Sequence, residues 1–171
     1  MNVIELENVT KFYMLGETRV DALRGVSLSI NEGEFLAIAG PSGSGKSTML
    51  NMFGCIDQPS GGTVKIAGTP TDHMNDKELT RYRRTKISFI FQSFNLIPVL
   101  NVYENIEFPL LLQKHLTKKE RDERVMKAIE EVGLSDRIKN KSTELSGGQR
   151  QRVAIARALG AFILDPVVQA N

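Results

Sequence analysis

The sequence predicts an α/β fold, on three observations. Phe35-Leu36-Ala37-Ile38-Ala39 is apolar on both faces and runs through a glycine-rich loop into a helical segment from Lys46 to Phe53. Shorter runs before it alternate with the period of two that strands require. After Pro98 the apolar spacing turns helical. A chain of 171 residues is long enough for one domain, or one domain with a lobe, that buries roughly 70% of the surface its unfolded form exposes.

The first strand is predicted around Val3, Ile4, Leu6 and Val9, the second over Val26–Ile30. Phe35–Ala39 reads as a central parallel strand covered by helices on both sides. Gly61–Gly68 is a short strand between turns, Asp76–Arg84 a charged helix, and Lys86–Phe91 a second strand of the buried type. Val102–Leu112 is helical with a break at Pro109. Thr117 with Glu120 three residues on is a capping box, in which each residue's side chain bonds the other's backbone amide. Val125, Met126, Ile129 and Val132 line one face of the helix it opens, and Gly133 is placed to end it. A last helix is expected over Gln149–Leu159. The organisation predicted is a core over residues 1–95, a helical lobe over 96–143, a motif and its helix over 144–160, and a tail over 161–171.

Composition narrows the classes. With 41% hydrophobic and 25% charged residues and no low-complexity tract, the chain is an ordinary globular one rather than a disordered one. Its 22 basic and 20 acidic residues leave a net charge of +2, too little to hold nucleic acid by a general field. Lys118, Lys119, Arg121 and Arg124 are interleaved with Glu120, Asp122 and Glu123, which makes a solvated face. Cys55 lacks a partner for an internal disulfide and reads as a small core residue. His73 and His115 read as surface residues. The start of the chain lacks the pattern of an export signal, and no stretch approaches the ~20 apolar residues that span a bilayer. A cytosolic location follows as the expectation, and the sequon Asn8-Val9-Thr10 is then only a strand end.

Two motifs carry chemistry. In Gly40-Pro41-Ser42-Gly43-Ser44-Gly45-Lys46-Ser47 the glycines let backbone amides turn toward a phosphate tail, and the helix that follows adds its dipole. Lys46 reaches the β- and γ-phosphates, Ser47 ligates Mg²⁺, and Thr48 can offer a hydroxyl to the α-phosphate. Alone, this loop suits a kinase, a GTPase or a motor ATPase. Leu145-Ser146-Gly147-Gly148-Gln149 repeats its logic with a hydroxyl, two glycine amides and a helix start, so it reads as a second phosphate site. One nucleotide cannot fill both in one subunit, which hints at a site shared between two chains.

These motifs in this order resemble the nucleotide-binding domain of ABC transporters over about residues 1–160. Leu36–Ile56, Phe89–Pro98 and Asn101–Leu110 resemble the lipoprotein-releasing and macrolide-exporter subgroup. The resemblance implies a P-loop NTPase core with an N-terminal antiparallel β subdomain and a helical subdomain, the C-terminal part of the core sheet missing. It implies that Tyr13 stacks on adenine, and that Gln92 touches Mg²⁺ or the attacking water and acts in catalysis with Lys46. ATP and Mg²⁺ are the implied ligands. The implied partners are a second copy of the domain and an integral membrane permease received near Asn95–Glu104, with no nucleic acid. Such a subunit sits peripherally at the cytoplasmic side of the membrane. A soluble ABC protein without a membrane partner is the alternative.

The end departs from that pattern. Ala161-Phe162-Ile163-Leu164-Asp165 has the form of a Walker B strand after a shortened approach, but Pro166 stands where the family has its catalytic glutamate. Asp165 reads either as a metal ligand or as a residue of a tail without defined packing. No switch histidine follows. The expectation is a truncated frame whose ATP turnover is impaired, or a nucleotide-binding fragment without catalysis.

Overall fold

A computed structural model describes residues 1–113 and 115–162. Two compact units divide between Ile87 and Ser88. In the first, β1 (Asn2–Leu15) and β2 (Thr18–Asn31) form a long hairpin around Gly16, followed by α1 (Lys46–Phe53), β3 (Gly61–Ile66), β4 (Thr69–Pro70) and α2 (Asp76–Lys86). The strands make an antiparallel sheet in the order β2-β1-β3-β4. β1 is bonded on both edges, and Asn8, with φ of 49°, marks a register shift beside Val9. The sequon therefore lies within β1 rather than at its end. Leu6, Val9, Val64 and Ile66 from the sheet meet Met52 and Cys55 from the end of α1 and Leu79 of α2 in one core. Cys55 is buried there, as its isolation in the sequence implied, and burial pushes its thiol above the ordinary value.

The expected parallel strands do not form among the described residues. Phe35–Ala39 pairs with nothing, and Phe35 is 97% exposed. Lys86 closes α2, and 87–91 is unpaired as well. A strand's amides and carbonyls need a neighbour on at least one edge, and no described segment lies alongside either stretch in a ladder.

The second unit is helical: α3 (Val102–Glu107), a 3-10 turn at Leu110–Leu112, α4 (Lys118–Glu131) and α5 (Gly147–Phe162). Pro109 does divide the helical run, and α3 ends before it. Asn101 with Glu104 and Thr117 with Glu120 form capping boxes that start α3 and α4. Gly133, at φ of 64°, follows α4. Val125, Ala128 and Ile129 pack with Val102, Ile106 and Leu110 and with Val153 and Ala156 of α5. Met126 departs from the predicted face: it is 43% exposed, because one residue past Val125 is a turn of 100° around the helix. α5 begins two residues before its expected start and reaches Phe162. Ala161 and Phe162, expected to open the tail, instead close α5, because the helical ladder runs on past Gly160; Asp165, Pro166 and the rest of the tail lie outside the described residues.

Candidate nucleotide-binding site

The loop Gly40–Gly45 enters α1 in a conformation that only glycine adopts readily. Gly43 and Gly45 have φ of 80° and 88°, in the left-handed region. A Cβ on Gly45 would come within 2.6 Å of the Ala22 carbonyl oxygen in β2, so the loop is seated against the hairpin at this point. Gly45 is also the N-cap of α1, and no side chain caps that helix. The first amides of α1 therefore lack the partner that other helices of the chain obtain from Asn75, Asn101 and Thr117. Lys46 Nζ donates to Gly40 O at 2.9 Å and Pro41 O at 2.6 Å. Among the described residues its acceptors are the loop's own backbone and, in a long contact, Ser44 Oγ at 3.4 Å. An ammonium held by carbonyls, amides without a cap and a glycine seat together fit a polyphosphate. Ser42 and Ser47 are exposed on this loop, and Thr48 is half-buried in the first turn of α1.

Tyr13 lies near the end of β1, half-buried. Its hydroxyl donates to Asp57 Oδ2 at 2.8 Å, and it also meets the side chain of Thr48. Burial, then the bond to Asp57, push that hydroxyl above its ordinary value, so it remains a neutral donor. The structure thus brings Tyr13 to the same helix turn as the phosphate loop.

The second motif opens α5 in the other unit. Ser146 N donates to Gln149 Oε1 at 2.8 Å and Gln149 N donates to Ser146 Oγ at 3.3 Å. This is a capping box, which the Ser-x-x-Gln spacing makes legible beside the phosphate-site reading. Ser146 Oγ accepts in this bond, which leaves its proton for another acceptor. Leu145 is buried in the helical core and anchors the motif, whereas positions 147 and 148 face open space where a Cβ would meet nothing within 4 Å. Gln92 is exposed in a turn closed by Phe94 N donating to Phe91 O at 2.9 Å. That turn rests on α5. Arg157 donates to Asn95 O at 2.6 Å and Phe94 O at 2.8 Å, and the Arg150 guanidinium stands 5.6 Å from the centre of the Phe94 ring. Phe94 and Asn95 both have positive φ, 64° and 45°, a strained pair of conformations for residues with side chains.

A profile described as ABC transporter matches residues 23–161. The chain belongs to the ABC transporter family. Among the relatives of this ABC cassette, an uncharacterized ABC transporter ATP-binding protein of Thermotoga maritima is 50% identical over 165 residues, covering 96% of this chain and 69% of that protein. The macrolide export ATP-binding/permease protein MacB of Bdellovibrio bacteriovorus is 43% identical over 157 residues, 92% of this chain and 24% of that one. A dimeric structure of the ATP-binding cassette MJ0796, which is from Methanocaldococcus jannaschii, in a post-hydrolysis state bound to ADP and Pi superposes with a TM-score of 0.86 at 49% identity, over 92% of this chain and 69% of that chain. The cassette is an ATP-binding subunit of the ABC transporter kind. Among its described residues no helix is long and apolar enough to cross a membrane.

Sequence reasoning missed four residues that organise this ABC cassette: Lys11, Asp57, Asn105 and Arg157. Lys11 could have been suspected, since it shares a strand face with Tyr13 at period two. Arg157 lies seven residues from Arg150, on the same face of α5. Nothing local pairs Asp57 with β1, and Asn105 looks like any helical asparagine.

Proposed function

We propose that this cassette binds Mg·ATP with the loop from Gly40 to Thr48 and lends Ser146, Gly147, Gly148 and Gln149 to the nucleotide of a second copy, powering a membrane permease. The observation that supports it most directly is the uncapped start of α1, with Lys46 bonded to carbonyls of its own loop. On binding, Lys46 would exchange two neutral carbonyls for the β- and γ-phosphates, and the amides of Gly43, Gly45 and Lys46 would turn to the same oxygens, while the Ser44 amide already donates to Pro41 O at 3.3 Å. Tyr13 would stack on adenine. Mg²⁺ would be held by Ser47, Gln92 and the phosphates. Bound there, the ion would neutralise charge on the β- and γ-oxygens. Gln92 offers its side-chain amide to the metal or to the attacking water. Macrolide export by MacB-type relatives and the subgroup resemblance favour an exporter or a lipoprotein-releasing assembly, with the cassette held at the cytoplasmic face of the membrane by its permease.

One feature favours a second reading, a nucleotide-binding subunit without turnover: Pro166 follows Asp165 where a water-polarising glutamate is expected. Calorimetric titration of the chain with Mg·ATP, alongside a phosphate-release assay, tests both. Lys46→Ala should weaken ATP binding about ten- to a hundredfold, the range of a lost charge-assisted contact. Unchanged affinity in that variant would sink the proposed site. Steady hydrolysis by the chain alone, abolished by Lys46→Ala, would sink the second reading.

A further inference from the structure

Asp57 follows α1 and lies 44 residues from Tyr13 in the chain, yet it is the acceptor for the Tyr13 hydroxyl at 2.8 Å. Lys11 Nζ donates to its other oxygen at 2.6 Å and to Gln58 O at 2.8 Å. The carboxylate accepts in turn from Gln58 N at 2.8 Å, so its direction is set by backbone. Lys11 Nζ also stands 5.0 Å from the centroid of the Tyr13 ring. One end of the tyrosine is therefore tied and one face is taken by a cation, and a planar ligand can use only the opposite face of this half-buried ring. No hydrogen bond or ion pair joins Lys11 or Asp57 to residues 40–47.

We infer that Asp57, supported by Lys11, is the positioning residue that holds the Tyr13 ring in the orientation for stacking on a nucleotide base. The inference rests on the proposed stacking role of Tyr13. Its physical basis is that a ring already ordered loses little rotamer freedom when a base arrives. Asp57 acts at the base end of the ligand, since it bonds Tyr13 and not the loop, whereas the Tyr13 hydroxyl also meets Thr48. A nucleotide and a bare polyphosphate must then respond differently.

The test is calorimetric titration of the full chain with Mg·ATP and with Mg·tripolyphosphate, in wild type, Tyr13→Ala, Tyr13→Phe, Asp57→Ala and the Tyr13→Phe/Asp57→Ala double variant. Tyr13→Ala should lower the ratio of ATP to tripolyphosphate affinity about tenfold, within the range of base–aromatic stacking. Asp57→Ala should lower it about threefold, the loss of one modest hydrogen bond, and Tyr13→Phe at least as much, since it also loses the contact with Thr48. The double variant should fall no further than Tyr13→Phe alone, since the bond that Asp57→Ala removes is already gone there. An unchanged ratio in Asp57→Ala beside a reduced one in Tyr13→Ala would overturn the inference and leave the stacking reading standing. Equal weakening of both ligands in Asp57→Ala would mark a merely structural role and overturn it too. An unchanged ratio in Tyr13→Ala would instead remove the stacking reading, and the inference with it. Tyr13→Phe breaks the bond without vacating Asp57, so the comparison survives if Asp57→Ala does not fold.

Discussion

At the scale of single residues, Gly45 joins backbone conformation to function. Its φ of 88° and the 2.6 Å approach that a Cβ would make to Ala22 O act together, the first a conformational cost and the second a clash with backbone that cannot swing aside. Gly45→Ala is predicted to destabilise the first unit by about 2 kcal/mol or more. Gly43→Ala should cost about 1 kcal/mol, because the same kind of φ meets open space there. Urea denaturation of the two variants would separate the terms. Asp57 carries a pH signature as well. Burial alone would raise its carboxyl, but Lys11, Tyr13 and the Gln58 amide outweigh it and hold the group below the ordinary 3.8. The unfolded chain therefore takes up this proton first as pH falls, so the stabilisation is full above 3.8 and disappears as pH drops through the lower folded value. The gap in melting temperature between wild type and Asp57→Asn should hold from about pH 7 to about pH 5 and narrow as the pH falls below about 4.

At the scale of elements, the helices divide by how they begin. α2, α3, α4 and α5 start with a side-chain capping box, at Asn75, Asn101, Thr117 and Ser146, whereas α1 starts at a glycine with none. An amide that a cap takes up is satisfied by the protein itself, and those no cap reaches, at the start of α1 and at Gly147 and Gly148 of α5, can take an anion. Thr117→Ala should therefore cost about 1 kcal/mol of stability and leave ATP affinity unchanged, as thermal melts and calorimetry would show. Asn105 binds an element rather than starting one. Buried at 1% exposure, it accepts from Ile97 N at 2.8 Å and donates to Ile97 O, Leu100 O and Asn101 O. It thereby ties the loop ahead of α3 to the helix. Asn105→Ala would leave an amide and several carbonyls without their partner, at a cost of about 2–3 kcal/mol, and thermal denaturation followed by circular dichroism would detect it.

At the scale of the whole molecule, two cores form, one under the antiparallel sheet and one among α3, α4 and α5. Around the phosphate loop the apolar surface is only partly covered: Phe35 is 97%, Leu36 40% and Leu50 46% exposed. Large exposed apolar groups favour association. Phe35→Lys should lower light scattering on concentration while leaving ATP binding intact, because Phe35 has no place in the loop's contacts. A variant that scatters as strongly as wild type would show that this stretch is not what drives association.

Local chemistry made several things legible before any fold was known. Glycines at positions that need positive φ, a lysine and hydroxyls at fixed offsets, cap residues three apart from glutamates and a helical stripe broken at Pro109 all act within a few residues, so they can be read in order along the chain. Those signals identified the phosphate loop, the second motif and most helix boundaries. What they could not decide depends on partners distant in sequence. Apolar character made Phe35–Ala39 and Lys86–Phe91 look like buried strands, but strand formation belongs to a pair, and no neighbour lies beside them among the described residues. Met126 has the composition of a core residue and the angle of a surface one. Only the tertiary structure joined Asp57 to Tyr13 and Lys11, and Arg157 to Asn95. These contacts span 44 to 62 residues, and such separations leave no local pattern because the chain between them is free to vary.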